Sequence, residues 1–307
     1  NTSAKMASDI FGGTFFNLSM SGSNNFERSI VLNRVLETHN TKRVILLLTP
    51  LTSKGGHGDY SVETWNYLYD SNPFNDAKYY FNTRDFRCMR RLSPKSSCLG
   101  VKKDLDRPYA WSEIQEHSRR FGGIQNWARY YKDPQLENLI IREIPEAVNK
   151  PLMTNFTETE ESKTEISSYL DETVFDFVGD YPNTEFLLYF NPDSLLGKAL
   201  DFRNHLAFST YAQFVKQVTE KASHFPNVHF FGFDNLPFTN DIAFYKDPAH
   251  YKESVNSELL VLMSQRQFEL TPDNVDDYLK ELWIRIKNFD LSKFNSTLQN
   301  ELQKVAQ

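Results

Sequence analysis

The sequence predicts an α/β protein: a doubly wound, mainly parallel sheet with helices on both faces. Three observations carry this. Short apolar runs that do not alternate, such as Arg43-Val44-Ile45-Leu46-Leu47-Leu48-Thr49, suit parallel strands covered on both sides. Stretches with apolar residues at helical spacing follow such runs. The two kinds of segment alternate, as βαβ units require.

In chain order, Thr14-Phe15-Phe16-Asn17-Leu18-Ser19-Met20 is the first candidate strand. Asn24 then opens a helix as N-cap, with Glu27 completing a capping box and Phe26, Ile30, Val31, Val35 and Leu36 on one face. The Arg43–Thr49 run is the next strand. Residues 52–163 break the rhythm and read as an insertion or lid within one sheet. They hold the Gly55-Gly56-His57-Gly58 turn and many aromatic and basic residues. Among them, Tyr109, Trp111, Phe121, Trp127, Tyr130 and Tyr131 suit either a sugar-stacking or apolar pocket, or the core of a mixed helical insert.

The rhythm then returns. Ile166, Tyr169, Leu170, Thr173, Val174 and Phe177 make a helical face, and Glu185–Phe190 a strand. Phe208, Tyr211, Val215, Val218 and Ala222 make another helix, followed by a strand at Asn227–Asp234. Val255, Leu259, Leu260 and Met263 continue as a helix. Residues 271–307 form a helical extension with Val275, Leu279, Leu282, Ile286 and Phe289 on one side. The whole of 1–307 is expected to be a single domain carrying the insert and the extension.

With 307 residues, 40% hydrophobic and 24% charged, the chain has a globular composition. A net charge of -6 argues against nucleic acid as a partner. The Arg87, Arg90 and Arg91 cluster reads as a solvated loop. No apolar run reaches the ~18 residues of a membrane span, and no signal peptide is present. Membrane attachment is therefore expected only through a segment upstream of Asn1. Cys88 and Cys98 suit a local disulfide if the protein is extracytoplasmic, or two free thiols if it is cytoplasmic. No His/Cys/acid spacing suits a metal, and no glycine-rich phosphate loop follows a strand. Neither a metal nor a cofactor is expected.

Asp247-Pro-Ala-His250 is the segment with most chemistry in it. An acid three residues before a histidine can fix its tautomer, and the histidine can then take a proton from a serine. An isolated pair of this kind is usually idle. This one follows a strand and precedes a sheet-covering helix, at the end of the sheet where α/β proteins bind ligands.

Phe233-Asp234, then Tyr245-Lys246-Asp247-Pro248-Ala249-His250-Tyr251 and a helix, resembles the last block of the bacterial SGNH/GDSL-type hydrolase-like superfamily. Phe16-Asn17-Leu18-Ser19-Met20-Ser21-Gly22-Ser23-Asn24 resembles its second block, which makes Gly22 the expected backbone donor to the oxyanion. Gly22 is equally well read as a glycine permitting a tight turn. Tyr189-Phe190-Asn191-Pro192-Asp193-Ser194 resembles a pocket-shaping loop of membrane-anchored members, with Asn191 and Ser194 at the pocket and no catalytic role.

The resemblance implies a serine ester hydrolase or O-acyl (acetyl) transferase acting on a small-molecule or glycan ester at the cell surface, outside the cytoplasm. It also implies a noncatalytic glycan-binding or scaffold module of the same fold as the alternative. Two departures bear on that choice. The asparagine donor expected after the Arg43–Thr49 strand is missing from Thr49-Pro50-Leu51-Thr52-Ser53, so Thr49 or Ser53 becomes the candidate donor, with His57 at the rim. No apolar strand precedes Ser3, so the nucleophilic serine and its strand are expected upstream of residue 1, with Ser3 as a degenerate alternative.

Overall fold

Among the described residues, three parallel strands form the sheet: β1 (Arg43–Leu48), β2 (Glu185–Phe190) and β3 (Val228–Phe231). Their order is β1-β2-β3, with Leu46 opposite Leu188 and Leu188 opposite Phe230. The computed structural model describes residues 2–20, 22–50, 65–81, 86–88, 90, 98, 105–107, 113–154 and 160–307. Helices α1 (Ala4–Phe11) and α2 (Asn25–Thr38) precede β1. The insert contributes α3 (Ile124–Arg129) and a helical run over 134–148, and a second run over 160–178 leads to β2. α4 (Leu195–Asn204) and α5 (Phe208–Ser223) connect β2 to β3, and α6 (Glu253–Ser264), α7 (Val275–Asn288) and α8 (Leu291–Ala306) follow.

The strand pleat sorts the core into two layers. Phe186, Leu188 and Phe190 of β2 pack with Leu32 and Leu36 of α2, Val174 of the 160–178 run, Phe214 of α5 and Leu282 of α7. Leu187 and Tyr189 point the other way, to Val255, Leu259 and Met263 of α6, with Ile45, Leu47 and Phe11 alongside. Helices therefore cover both faces, which is why the strands read as unbroken apolar runs. Each fully buried Leu or Phe contributes roughly 1.5–3 kcal/mol.

A third core lies away from the sheet. Trp127 of α3 and Leu136, Ile140 and Ile144 of the 134–148 run meet Leu196 and Leu200 of α4 and Leu291 and Leu298 of α8. Residues 124–148 are thus built into the body by core packing. Phe121 is 7% and Trp127 0% exposed, while Tyr130 and Tyr131 are half-buried. Tyr109 and Trp111 lie outside the described residues.

The α2 start is as expected: Asn24 accepts from the Glu27 N–H at 2.9 Å, and Glu27 accepts from the Asn24 N–H at 3.0 Å. The expected strand over 14–20 is absent. Asn17 Oδ1 accepts from the Ser19 N–H at 3.0 Å and its hydroxyl at 2.7 Å, a local turn that competes with ladder pairing. Its Nδ2 donates to the carbonyls of Thr2 and Asp106, at 2.7 and 3.1 Å. β3 is shorter than the apolar run because Gly232 leaves the sheet, donating to the Phe268 carbonyl at 3.0 Å. Cys88 and Cys98 are disulfide-bonded.

Candidate functional site

The loop between β3 and α6 meets the segment that follows β2, where Asn191 and Ser194 bond the Ala249 and Pro248 carbonyls. Three local hydrogen bonds shape the Asp247–His250 turn. Asp247 Oδ1 accepts from the backbone N–H of Ala249 at 3.1 Å and of His250 at 2.9 Å, and the Lys246 N–H donates to the His250 carbonyl at 2.9 Å. This geometry folds the imidazole onto the carboxylate. His250 Nδ1 lies 2.7 Å from Oδ1 and 2.9 Å from Oδ2 of Asp247.

Burial opposes the charge on Asp247, but the hydrogen bond and charge of His250 and the Lys246 ammonium outweigh it. The carboxyl is held well below the usual carboxylate range. Lys246 Nζ contacts Oδ2 at 2.7 Å and is itself buried. An ionised Asp247 only accepts hydrogen bonds, so Nδ1 carries the hydrogen and Nε2 holds the lone pair of the neutral ring. The His250 side chain is 48% exposed and that of Asp247 14%. A buried acid behind a half-exposed imidazole is an arrangement able to do general-base work.

The insert braces this loop from behind. The Gly122 N–H donates to the Ala243 carbonyl at 3.1 Å, and the Trp127 indole donates to the Tyr245 carbonyl at 3.3 Å. His117 sits in the same region; burial, then the charges of Lys246 and Arg120, lower its pKa. Arg107 pairs with Glu253 in the first turn of α6 and with Glu113.

Asn191 and Ser194 come directly to the acid–base loop. Asn191 Nδ2 donates to the Ala249 carbonyl at 2.8 Å, and Ser194 Oγ donates to the Pro248 carbonyl at 2.7 Å. Ser194 is also the N-cap of α4, accepting from the Gly197 N–H at 3.0 Å.

Gly22 stands two residues before the N-cap of α2, and Thr49 is bonded to the first turns of that helix. Gly22 has φ +70°, a conformation that favours glycine, and open space where a Cβ would stand. The Asn25 amide pairs with the Thr49 backbone, donating to its carbonyl at 3.1 Å and accepting from its N–H at 2.9 Å. Arg28 donates to the Leu47 carbonyl at 2.7 Å, to Thr49 Oγ1 at 3.1 Å and to Ser23 Oγ at 2.9 Å. Burial lowers the pKa of this guanidinium, opposed by the nearby Tyr189 and Tyr169. Ser53 and His57 lie outside the described residues.

Ser3 is committed elsewhere. It caps α1 by accepting from the Met6 N–H at 3.0 Å, and donates to the Asp106 carboxylate at 2.8 Å. Thr2 Oγ1 donates to Asn256 Oδ1 of α6 at 3.0 Å, which sets this N-terminal segment against the helix that follows His250.

Sequence reasoning missed a buried ionic cluster below the loop. Lys198 Nζ lies 3.4 Å from Asp234 and 3.8 Å from Asp193, over the Tyr211 ring at 4.5 Å. Tyr211 and Tyr278 both donate to Asp234, the latter at 2.8 Å. Burial pushes the Asp193 carboxyl up to about 7 against the pull of Lys198. The signal was present: Lys198 interrupts the apolar stretch Leu195-Leu196-Gly197-Lys198-Ala199-Leu200, and a charge there needs a buried partner. Asn25, Arg28 and Lys246 had no comparable signal, since each follows an ordinary helix-start or loop pattern. No group of three or more His, Cys, Asp or Glu residues suited to a metal ion occurs among the described residues. No family model, curated protein or solved structure matches the chain.

Proposed function

We propose that this protein is a serine ester hydrolase or O-acyl transferase of SGNH type, with Asp247 and His250 as its acid and base. The observation that carries the reading is the Asp247 carboxylate set 2.7 Å from Nδ1 of a half-exposed His250 at the carboxyl ends of a parallel sheet. In this reading His250 Nε2 takes the proton of a serine as it attacks an ester carbonyl, then returns it to the leaving group. Asp247 holds the tautomer and stabilises the imidazolium. The Gly22 N–H and the Thr49 hydroxyl are the proposed oxyanion donors, each worth about 3–4 kcal/mol where such donors have been removed.

The reading takes the β1-β2-β3 sheet as part of a doubly wound fold, with the attacking serine on a strand upstream of residue 1. The commitment of Ser3 to Asp106 favours that placement over Ser3 itself. The Cys88–Cys98 disulfide favours an oxidising, extracytoplasmic location. Acylated cell-surface glycans are the proposed substrates. No helix among the described residues is long and apolar enough to cross a membrane, and the proposed membrane attachment is through an upstream segment.

The test is turnover of p-nitrophenyl acetate by the full-length protein. His250→Ala should lower it by at least ~10²-fold, the scale of a lost general base. Retained turnover would remove His250 from the mechanism. One observation favours a second reading, a noncatalytic glycan-binding or scaffold module. At the end of β1 the polar partner is Asn25, whose amide is spent on the Thr49 backbone. A fluorophosphonate probe separates the two: the hydrolase labels covalently, and a binding module does not.

A further inference from the structure

We propose that Asn191 is a positioning residue for the acid–base loop, holding the Ala249–His250 peptide from the side opposite Asp247. The proposal deepens the hydrolase reading and rests on it for its consequence in catalysis.

The geometry is that of a peptide unit pinned at both edges. The N–H edge of the Ala249–His250 peptide donates to Asp247 Oδ1 at 2.9 Å, and its carbonyl edge accepts from Asn191 Nδ2 at 2.8 Å. The preceding peptide is pinned the same way. The Ala249 N–H donates to Asp247 at 3.1 Å, and the Pro248 carbonyl accepts from the Ser194 N–H at 2.9 Å and hydroxyl at 2.7 Å. Two peptide planes fixed on both sides determine the direction of the His250 Cα–Cβ bond. Asp247 cannot do this alone, because it moves with the loop it caps. Asn191 directly follows β2, the most deeply buried strand of the sheet, and Ser194 caps the helix that comes after it. They transmit its rigidity to the imidazole. The approach is also close: a Cβ on Gly197 would lie 2.9 Å from the Pro248 carbonyl oxygen.

Asn191 is the informative member of the pair, because Ser194 also caps α4 and its loss would disturb that helix. The second Asn191 amide hydrogen goes to Asp193 Oδ1 at 2.5 Å. Asp193 is faced by Lys198 and Asp201 of α4, Asp234 beyond β3, Tyr211 of α5, and Tyr245 and Tyr251 beside the acid–base loop. Tyr278 and Arg285 of α7 reach it through Asp234. Burial pushes its carboxyl up to about 7. Ionisation makes the Asn191 bond charge-assisted, so the clamp is stiffer above neutral pH than below it.

The experiment compares the full-length wild type with Asn191→Ala and Asp193→Asn, by amide hydrogen exchange and by ester turnover. In Asn191→Ala the Ala249 and His250 amides should exchange about tenfold faster. kcat should fall about tenfold or more, with KM within about twofold, since misplacement by about 1 Å can cost ~10²-fold. In the wild type, protection of those amides, corrected for intrinsic exchange, should rise between about pH 6 and pH 8, and Asp193→Asn should flatten that rise. This second comparison stands even if Asn191→Ala fails to fold. Exchange unchanged by Asn191→Ala, or a flat wild-type profile, overturns the proposal. A wild type that neither turns over ester nor takes the fluorophosphonate probe sinks the hydrolase reading instead, and the exchange data then judge the clamp by themselves.

Discussion

The sheet has a finished side and an open side. On β2, Phe186, Leu187 and Leu188 are 0–1% exposed, and both faces are closed by helices. On β1, Val44, Ile45, Leu46 and Leu47 are only half-buried although their sequence is as apolar, and Leu48 alone is buried. In the N-terminal segment before α2, Phe16 is 80% and Leu18 51% exposed. The acid–base pair, its clamp and the ionic cluster all stand on the finished side. Thr49 and the Asn25–Arg28 cluster that holds it belong to the open side. The difference teaches that equally apolar strands of one sheet can be covered unequally, and that the Asp247–His250 pair is built against the better-covered part.

The finished side should break hardest at Lys198. Its ammonium sits between Asp193 and Asp234 with its side chain 7% exposed. Lys198→Ala leaves the buried Asp234 and the partly buried Asp193 without their cation, and removing one partner of a buried pair costs about 3–5 kcal/mol. Denaturant unfolding measures this; a loss below about 1 kcal/mol would mean that the cluster is wetter than its burial indicates.

Matched truncations come next. Leu188→Ala on β2 should cost about 2–5 kcal/mol, as a fully buried leucine does. Leu46→Ala, directly opposite on β1, should cost only about 1–2 kcal/mol, in proportion to its partial burial. Equal costs would show that β1 is covered as fully as β2. The same pair sharpens the hydrolase reading: if a strand upstream of residue 1 lies against β1, the two costs converge in the longer protein.

The pH dependence of stability isolates one group on the finished side. The folded pKa of Asp193 is raised to about 7, above the roughly 3.9 of an unfolded aspartate. Between those values the folded state binds more protons than the unfolded state, so this group lowers stability as pH rises. Asp193→Asn should therefore help stability more at about pH 8 than at about pH 5. Melting temperatures across that range check it, and an equal effect at both ends would contradict the raised value. Asp247 has the opposite sign. Its depressed pKa contributes stability above the normal carboxylate range that is lost as pH falls through its folded value.

The sequence was most readable where the molecule is finished. β2 and the helices around it announce themselves through periodicity because burial on both faces demands unbroken apolar residues. The pairing of Asp247 with His250 was readable because it is local, three residues apart in one turn. The clamp from Asn191 to Ala249 was not, because it joins loops far apart in sequence and uses a backbone carbonyl that any residue could supply. The 14–20 segment misled because Phe15, Phe16 and Leu18 have the composition of a strand, while Asn17 supplies the local hydrogen bonds of a turn. Composition signals a propensity; pairing needs a partner edge, and no hydrogen-bonded strand partner for this segment occurs among the described residues.

The smallest effect is expected on the exposed N-terminal segment before α2. Phe16→Ser and Leu18→Ser remove side chains that are 80% and 51% exposed and belong to none of the apolar cores. Such surface changes usually stay within about 0.5 kcal/mol. Here the sign carries information. If these residues meet only water, replacing them should leave the melting temperature unchanged and improve solubility. If the open side is completed by further chain, Phe16 and Leu18 become contact residues, and the same substitutions lower stability in the longer protein by about 1.5–3 kcal/mol for each side chain fully buried. Measuring both variants at both lengths separates a surface that is apolar to no purpose from one end of an interface whose other side completes the site.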